Sequence, residues 1–128
     1  MAEFAPTVER LTTQQFLIMA LDGPDSQPMR EKHLEAHLHH IEKHVDRYVA
    51  CGPLHNGDPT QLYGSFFLVL AQSREDARSL LDGDPYLHCG MYEQIDVHPA
   101  TVAAGTALGG GVIWESAAAL LARQNPAK

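Results

Sequence analysis

The chain has 128 residues, 45% of them hydrophobic and 20% charged, with a formal net charge of −7. That length suits one domain with a single core, and no apolar run reaches the roughly eighteen residues of a membrane span. The acidic balance argues against a basic groove for a nucleic-acid backbone.

In chain order, residues 1–14 read as a polar leader. This segment carries Glu3 and Glu9 and lacks the basic start and apolar stretch of a secretory signal, so a cytoplasmic protein is expected. Phe16 to Leu21 is a short apolar run stopped by Asp22-Gly23-Pro24, which predicts a buried strand and a turn. From Pro28 to Asp46 there is no glycine or further proline, and Leu34, Leu38, Ile41 and Val45 recur at helical spacing. A helix is predicted there, with those four residues as its buried stripe. Tyr48 to Cys51 reads as a second strand ended by a turn at Gly52-Pro53, and residues 54–59 are rich in turn formers. Phe66 to Leu70 reads as a central strand, apolar on both faces. Ser73 followed by Asp76 makes an acidic variant of the capping box, opening a helix through Ala77, Leu80 and Leu81 that stops at Gly83. Tyr92 to Val97 alternates as a fourth strand. The cysteines, Cys51 and Cys89, have no metal-like spacing and are expected to be reduced, mostly buried thiols.

The resulting order, β-α-β-β-α-β, is that of an α+β ferredoxin-like sandwich over residues 15–99, with both helices on one face of the sheet. A bare apolar face opposite is unusual on a monomer, so a face-to-face homodimer is expected. Residues 100–128 form a Gly/Ala-rich C-terminal extension. Ala103-Ala104-Gly105 and Gly109-Gly110-Gly111 read as flexible, and Trp114 to Arg123 as a short helix that could dock through Trp114 and Leu121. Ala107 to Gly111 lacks the lysine and the strand-loop-helix setting of a phosphate loop.

The loudest stretch is HLEAHLHHIEKH, residues 33–44, with five histidines. His33, His37, His40 and His44 form a stripe turned by about 100° from the apolar one, at the border of the expected buried face. Glu35, His39, Glu42 and Asp46 lie further round, toward water. The spacing offers a metal the pairs His33/His37 and His40/His44, but there is no HExxH pattern, and nothing selects a third ligand among His55, His88 and His98. No metal or cofactor is assigned. An acid/base role needs only one histidine and a carboxylate to orient its ring. Asp84, in the turn between Gly83 and Pro85, is the candidate carboxylate; the plainer alternative is that it caps the helical turn after Pro85.

An ordered set of motifs resembles the YciI-like (YCII-related) family. It comprises Arg30 with His33-Leu34 and His37-Leu38, Asp46-Arg47, Cys51-Gly52-Pro53-Leu54, Gly64-Ser65 before an apolar strand, and Ser73 through Arg78. Asp84-Pro85-Tyr86, Gly90 to Glu93 and Val97-His98-Pro99 complete it. The resemblance runs from about Phe16 to Pro99 and implies a dimeric α+β barrel of ferredoxin-like protomers, with a His/Asp dyad between the first helix and the Asp-Pro-Tyr turn. One branch of that family is a dehydrochlorinase acting on a chlorinated hydroxyhydroquinone.

Carried onto this chain, the resemblance gives Asp84 as the carboxylate. Spacing back from Gly52-Pro53 favours His37 as its partner, with His33, one turn earlier, as the alternate. The implied activity is that of a small-molecule enzyme of lyase or isomerase type acting on a cyclic oxygenated substrate. Ser65 and the backbone near Gly52 and Pro53 would bond a substrate oxygen, and Tyr86 would line the pocket. The rival readings are a non-catalytic dimeric ligand-binding or accessory module, and a protein that captures a metal on its histidine stripe.

Overall fold

The structure, a computed structural model, describes residues 11–124. Most of the polar leader, residues 1–10, lies outside the described residues, as do residues 125–128.

The elements are β1 (Gln15–Asp22), α1 (Ser26–Lys43), a 3-10 turn (Val45–Arg47), β2 (Tyr48–His55), β3 (Leu62–Leu70), α2 (Arg74–Asp82), the short α3 (Pro85–His88) and β4 (Tyr92–Ala100). The strand order is β2-β3-β1-β4 with every neighbouring pair antiparallel, which is the ferredoxin-like arrangement expected from the sequence. Phe16, Ile18 and Ala20 of β1 and Phe67 and Val69 of β3 alternate toward the helices and meet Ala77, Leu80 and Leu81 of α2 in the core. The two-residue period of a strand then puts Leu17, Met19 and Leu21, with Phe66, Leu68 and Leu70, on the opposite face.

Local chemistry sets the helix ends. Ser73 Oγ accepts the Asp76 N–H at 3.0 Å, and the Asp76 carboxylate in turn accepts from the Gln72 N–H and the Arg47 guanidinium. Gly83 ends α2 where the chain passes against α1: a Cβ there would sit 3.0 Å from His40 Cε1. At Gly64 a Cβ would lie 2.7 Å from the Ala20 carbonyl, so β3 can approach β1 this closely only with glycine at that position.

Two expectations are corrected. The leucine stripe of α1 is not buried: Leu34, Leu38 and Val45 are 46%, 48% and 63% exposed, and of the four only Ile41 packs against the core. The inward face is the other stripe, on which Arg30 is buried and His33, His37, His40 and His44 are half-buried. A helical wheel gives the angle between two stripes but not which one meets the sheet. Here polar partners beneath the helix, described below, draw in the basic stripe. The second correction is at Gly52-Pro53, which does not end β2: the strand continues to His55, and Pro53 pairs with Ser65. Because β2 is an edge strand, Pro53 can sit within it without removing a ladder donor on both sides.

The chain divides into two compact units, Thr13–Ala100 and one containing the residues from Thr101 on. The second holds a small hairpin of β5 (Ala104–Gly105) and β6 (Gly111–Val112), and then α4 (Ala117–Gln124). The glycines expected to be flexible turn this hairpin: Gly109 and Gly110 adopt φ of 69° and 86°, the left-handed region open to glycine. Ser116 Oγ caps α4 by accepting the Ala119 N–H, and Arg123 pairs with Glu115. Leu121 is 58% exposed and Trp114 is half-buried.

Candidate active site

The site lies between the inward stripe of α1, the ends of β2 and β3 that face it, and the turn entering α3. Asp84 is fully buried there. Its extended backbone makes it the N-cap of α3, with Oδ1 accepting the Tyr86 N–H at 2.9 Å. The same carboxylate faces His37, whose Nδ1 lies 2.8 and 2.7 Å from its two oxygens. The two readings of Asp84 from sequence, cap or histidine partner, are thus both satisfied geometrically by one side chain.

Tyr86 fixes the imidazole from a second direction. Its ring stacks on His37 with centroids 4.0 Å apart and planes 10° from parallel, and its hydroxyl donates to the Arg30 carbonyl at 3.1 Å. Since a carboxylate only accepts, Nδ1 of His37 is the donor, and in the neutral ring Nε2 keeps the lone pair. His33 makes no such contact: of the two candidate histidines, His37 is the one brought to Asp84. His40, one turn on, donates from Nε2 to the Leu80 carbonyl at 3.0 Å, and burial pushes its pKa down. Its ring lies beside that of His44, 4.7 Å away. Among the described residues, no three His, Cys, Asp or Glu side chains come together as a metal-binding group.

His37 opens on a cleft of about 240 Å³. Arg30, Ser65 and Tyr86 supply the other polar groups on its wall; Gly52 and Pro53 of β2 also line it, and the rest is largely apolar, from Leu34, Leu38 and Ile41 to Leu62 and Phe67. The exposed leucines of α1 therefore rim this opening. Cys51 lines it too, as a half-buried thiol rather than a mostly buried one, and burial pushes its pKa up.

Arg30 is the cation under the site, 6% exposed. Its Nε and Nη2 donate to the two Asp22 oxygens at 2.8 and 2.9 Å, and Nη2 also reaches the Gly64 carbonyl at 2.9 Å and Ser65 Oγ at 3.3 Å. Burial works against its charge, but the bonds and charge of Asp22 outweigh this and hold its pKa above the ordinary arginine value. The guanidinium also lies over the Tyr86 ring, 5.4 Å from its centroid. Ser65 Oγ receives a further hydrogen bond from the Tyr92 hydroxyl at 2.9 Å. Burial raises the pKa of Tyr92, and of Tyr86 also.

Sequence reasoning gave no role to Arg30, Asp22 or Tyr92. The first had a signal: Arg30, His33 and His37 stand at i, i+3 and i+7, on one helix face. Asp22 reads as a turn residue and Tyr92 as one position in an alternating strand, and nothing local links either to Arg30 or Ser65.

An antiparallel βαββαβ domain with a histidine-carboxylate pair facing a cleft defines an α+β protein of ferredoxin-like fold. The chain belongs to the YCII-related family: residues 14–101 match the YCII-related domain. Among solved structures, the 5-chloro-2-hydroxyhydroquinone dehydrochlorinase of Burkholderia phenoliruptrix, in complex with 2,5-dihydroxybenzoquinone, is 26% identical with a TM-score of 0.63. That match covers 72% of this chain and 96% of the dehydrochlorinase. A hypothetical protein of Arabidopsis thaliana, solved in solution, is 11% identical with a TM-score of 0.45, over 77% of this chain and 96% of its own. A Pseudomonas aeruginosa protein, solved by crystallography, is 10% identical with a TM-score of 0.45, over 75% and 100%. No curated protein matches the chain. No described helix is long and apolar enough to cross a membrane.

Proposed function

We propose that this protein is a small-molecule enzyme of lyase or isomerase type, dehydrochlorinase-like, in which His37 removes or relays a proton of a cyclic oxygenated substrate. The observation that carries the reading is the contact of His37 Nδ1 with a fully buried Asp84 at 2.7 Å. It leaves Nε2 as the basic atom at the cleft. When Nε2 takes the substrate proton, the ring becomes an imidazolium, and the Asp84 carboxylate stabilises that charge where little water reaches. The electron pair left on the substrate then either expels a leaving group such as chloride or moves through the ring until His37 returns the proton elsewhere. Ser65 would donate to the oxygen on which negative charge develops, with Gly52 and Pro53 shaping the opposite wall and Tyr86 holding the ring of His37.

Two further facts support this reading. A cleft of about 240 Å³ is at or below the small end of ligand pockets, roughly 300–1,000 Å³, and suits one substituted ring rather than a nucleotide. The structural neighbour with 26% identity is itself a dehydrochlorinase with a dihydroxyquinone bound. The test is turnover of cyclic ketones and hydroxyquinones by the wild type, His37→Ala and Asp84→Asn. Each substitution is expected to lower kcat by about 10²–10⁴-fold, the usual contribution of a positioned acid/base. Turnover retained in both folded variants would remove the dyad; binding without any product would favour the accessory-module reading.

A further inference from the structure

The cleft is not uniform along its length. Arg30, in the second turn of α1, donates to the Gly64 carbonyl and to Ser65 Oγ, whereas Arg47, in the 3-10 turn after the helix, donates to the Leu70 carbonyl. The helix therefore passes from the Ser65 end of β3 toward its Leu70 end, advancing about 1.5 Å per residue. Beneath it Pro53 pairs with Ser65 and Cys51 with Phe67, so the floor steps by about 7 Å from the first pair to the second. His37 comes two turns after Arg30, and Leu38 and Ile41 carry the helix on toward the second pair. The polar groups of the wall, Arg30, Ser65, and Tyr86 stacked on His37, lie at or before His37. Beyond it the lining is Leu38, Ile41, Cys51 and Phe67. The Cys51 thiol does not change that character, because burial and the nearby Asp84 charge push its pKa up and keep it protonated. Leu38 stays 48% exposed at this end. A bare ring whose oxygen meets Ser65 and whose reacting carbon meets His37 stops short of it.

We infer that this apolar end is a subsite for a hydrocarbon arm, so that the substrate is an alkyl-substituted oxygenated ring whose arm runs along Leu38 and Ile41 and ends against Cys51 and Phe67. The inference rests on the proposed function and narrows its substrate class from rings in general to rings with a short apolar arm placed away from the oxygen at Ser65. Each methylene taken out of water there adds affinity by about fourfold. A charged arm of the same length finds no partner and loses its hydration uncompensated. Cys51 sets the depth of the subsite, since a larger side chain at its place would close the end of the cleft.

The experiment measures binding to the full chain, by isothermal titration calorimetry, of resorcinol and its 4-ethyl, 4-butyl and 4-hexyl derivatives. Affinity should rise by about tenfold or more from resorcinol to 4-ethylresorcinol, rise again with butyl, and level off at hexyl as the arm outgrows the subsite. The charged-arm compound 3-(2,4-dihydroxyphenyl)propionic acid should bind no better than resorcinol. Leu38→Gln and Cys51→Leu should each lower the ratio of 4-butylresorcinol to resorcinol affinity by about tenfold, and Leu34→Gln, one turn nearer the Ser65 end, by less than about threefold. Thermal melts check that each variant folds; should Cys51→Leu fail to, Leu38→Gln, at a half-exposed position, carries the test alone.

A flat series, or a larger response to Leu34→Gln than to Leu38→Gln, overturns the inference. So does a gain that keeps growing through hexyl and is untouched by Leu38→Gln, which would place the arm on the open apolar face of the sheet. Each of these leaves the dyad standing if resorcinol binds and His37→Ala abolishes hydroxyquinone turnover. Failure of the resorcinols and of 2,5-dihydroxybenzoquinone alike to bind removes both readings. An intact alkyl preference with turnover unaffected by His37→Ala removes the base and keeps the subsite.

Discussion

Replacing Asp84 with asparagine leaves a side-chain carbonyl able to accept the Tyr86 N–H, so the cap of α3 survives. The amide NH₂ turned toward His37, however, cannot accept from Nδ1. The ring must then adopt the opposite tautomer, with its proton on Nε2, where a base needs a lone pair. The expected outcome is a variant within about 1 kcal/mol of wild-type stability by urea unfolding, the range of a conserved cap, that has lost its turnover. A large loss of stability would mean that the carboxylate matters mainly to the fold. His40 differs in kind. Burial lowers its pKa in the folded chain, whereas the unfolded chain titrates near the ordinary 6.5 and takes up the proton first. The stability contributed by the neutral ring is therefore complete above about 6.5 and is lost as pH falls through the lower, folded value. His40→Gln keeps an N–H for the Leu80 carbonyl and removes the titration, so the fall in Tm between pH 7 and pH 5 should be shallower than in the wild type. Tyr48 offers a third case: its buried hydroxyl has no partner among the described residues, and burial raises its pKa. Tyr48→Phe should be neutral or stabilising by up to about 2 kcal/mol; a loss of more than 1 kcal/mol would reveal a bonded hydroxyl.

At the scale of elements, the order of strands and helices was legible because strand runs and caps are local: Ser73 with Asp76, the apolar run of β1 and the stop at Gly83 need no partner to be read. The orientation of α1 was not. Its leucines have the spacing of a buried stripe, and only knowing that Asp22 and Asp84 lie beneath the helix explains why Arg30 and His37 turn inward instead. The orientation is testable without a substrate. Leu34→Gln and Leu38→Gln, on half-exposed positions, should each change stability by no more than about 0.5 kcal/mol, whereas Ile41→Ala, which packs on the core, should cost about 2 kcal/mol or more. Large losses in the leucine variants would reverse the assignment. Gly64→Ala probes the sheet: with a Cβ 2.7 Å from the Ala20 carbonyl, β1 and β3 must part, and the Gly64 carbonyl that accepts from Arg30 moves with them. Its expected signature is a cooperative loss of stability together with loss of turnover.

For the whole molecule, the face of the sheet bearing Leu17, Met19, Phe66 and Leu68 is apolar, and α1 and α2 both use the other. The proposed homodimer joins two such faces. Leu68→Glu places a charge in its middle; light scattering is expected to report a dimer for the wild type and a monomer for the variant, and an unchanged mass would move the interface elsewhere. The candidate site was legible in part for the same reason that the dimer was only an expectation. His37 and Asp84 stand in motifs that can be read along the chain, whereas the Arg30-Ser65-Tyr92 chain of hydrogen bonds joins three distant segments that only the folded sheet brings together. The inverted face of α1 has one more consequence. An element held to its sheet largely by polar contacts, with Arg30 its one buried residue, should open by local fluctuation well before the strands beneath it. Its backbone amides should therefore exchange with deuterated water sooner than those of β1 and β3. A ring bound in the cleft, touching both layers, would slow α1 selectively, so that exchange rates along eighteen residues become a direct report of occupancy even where no product forms.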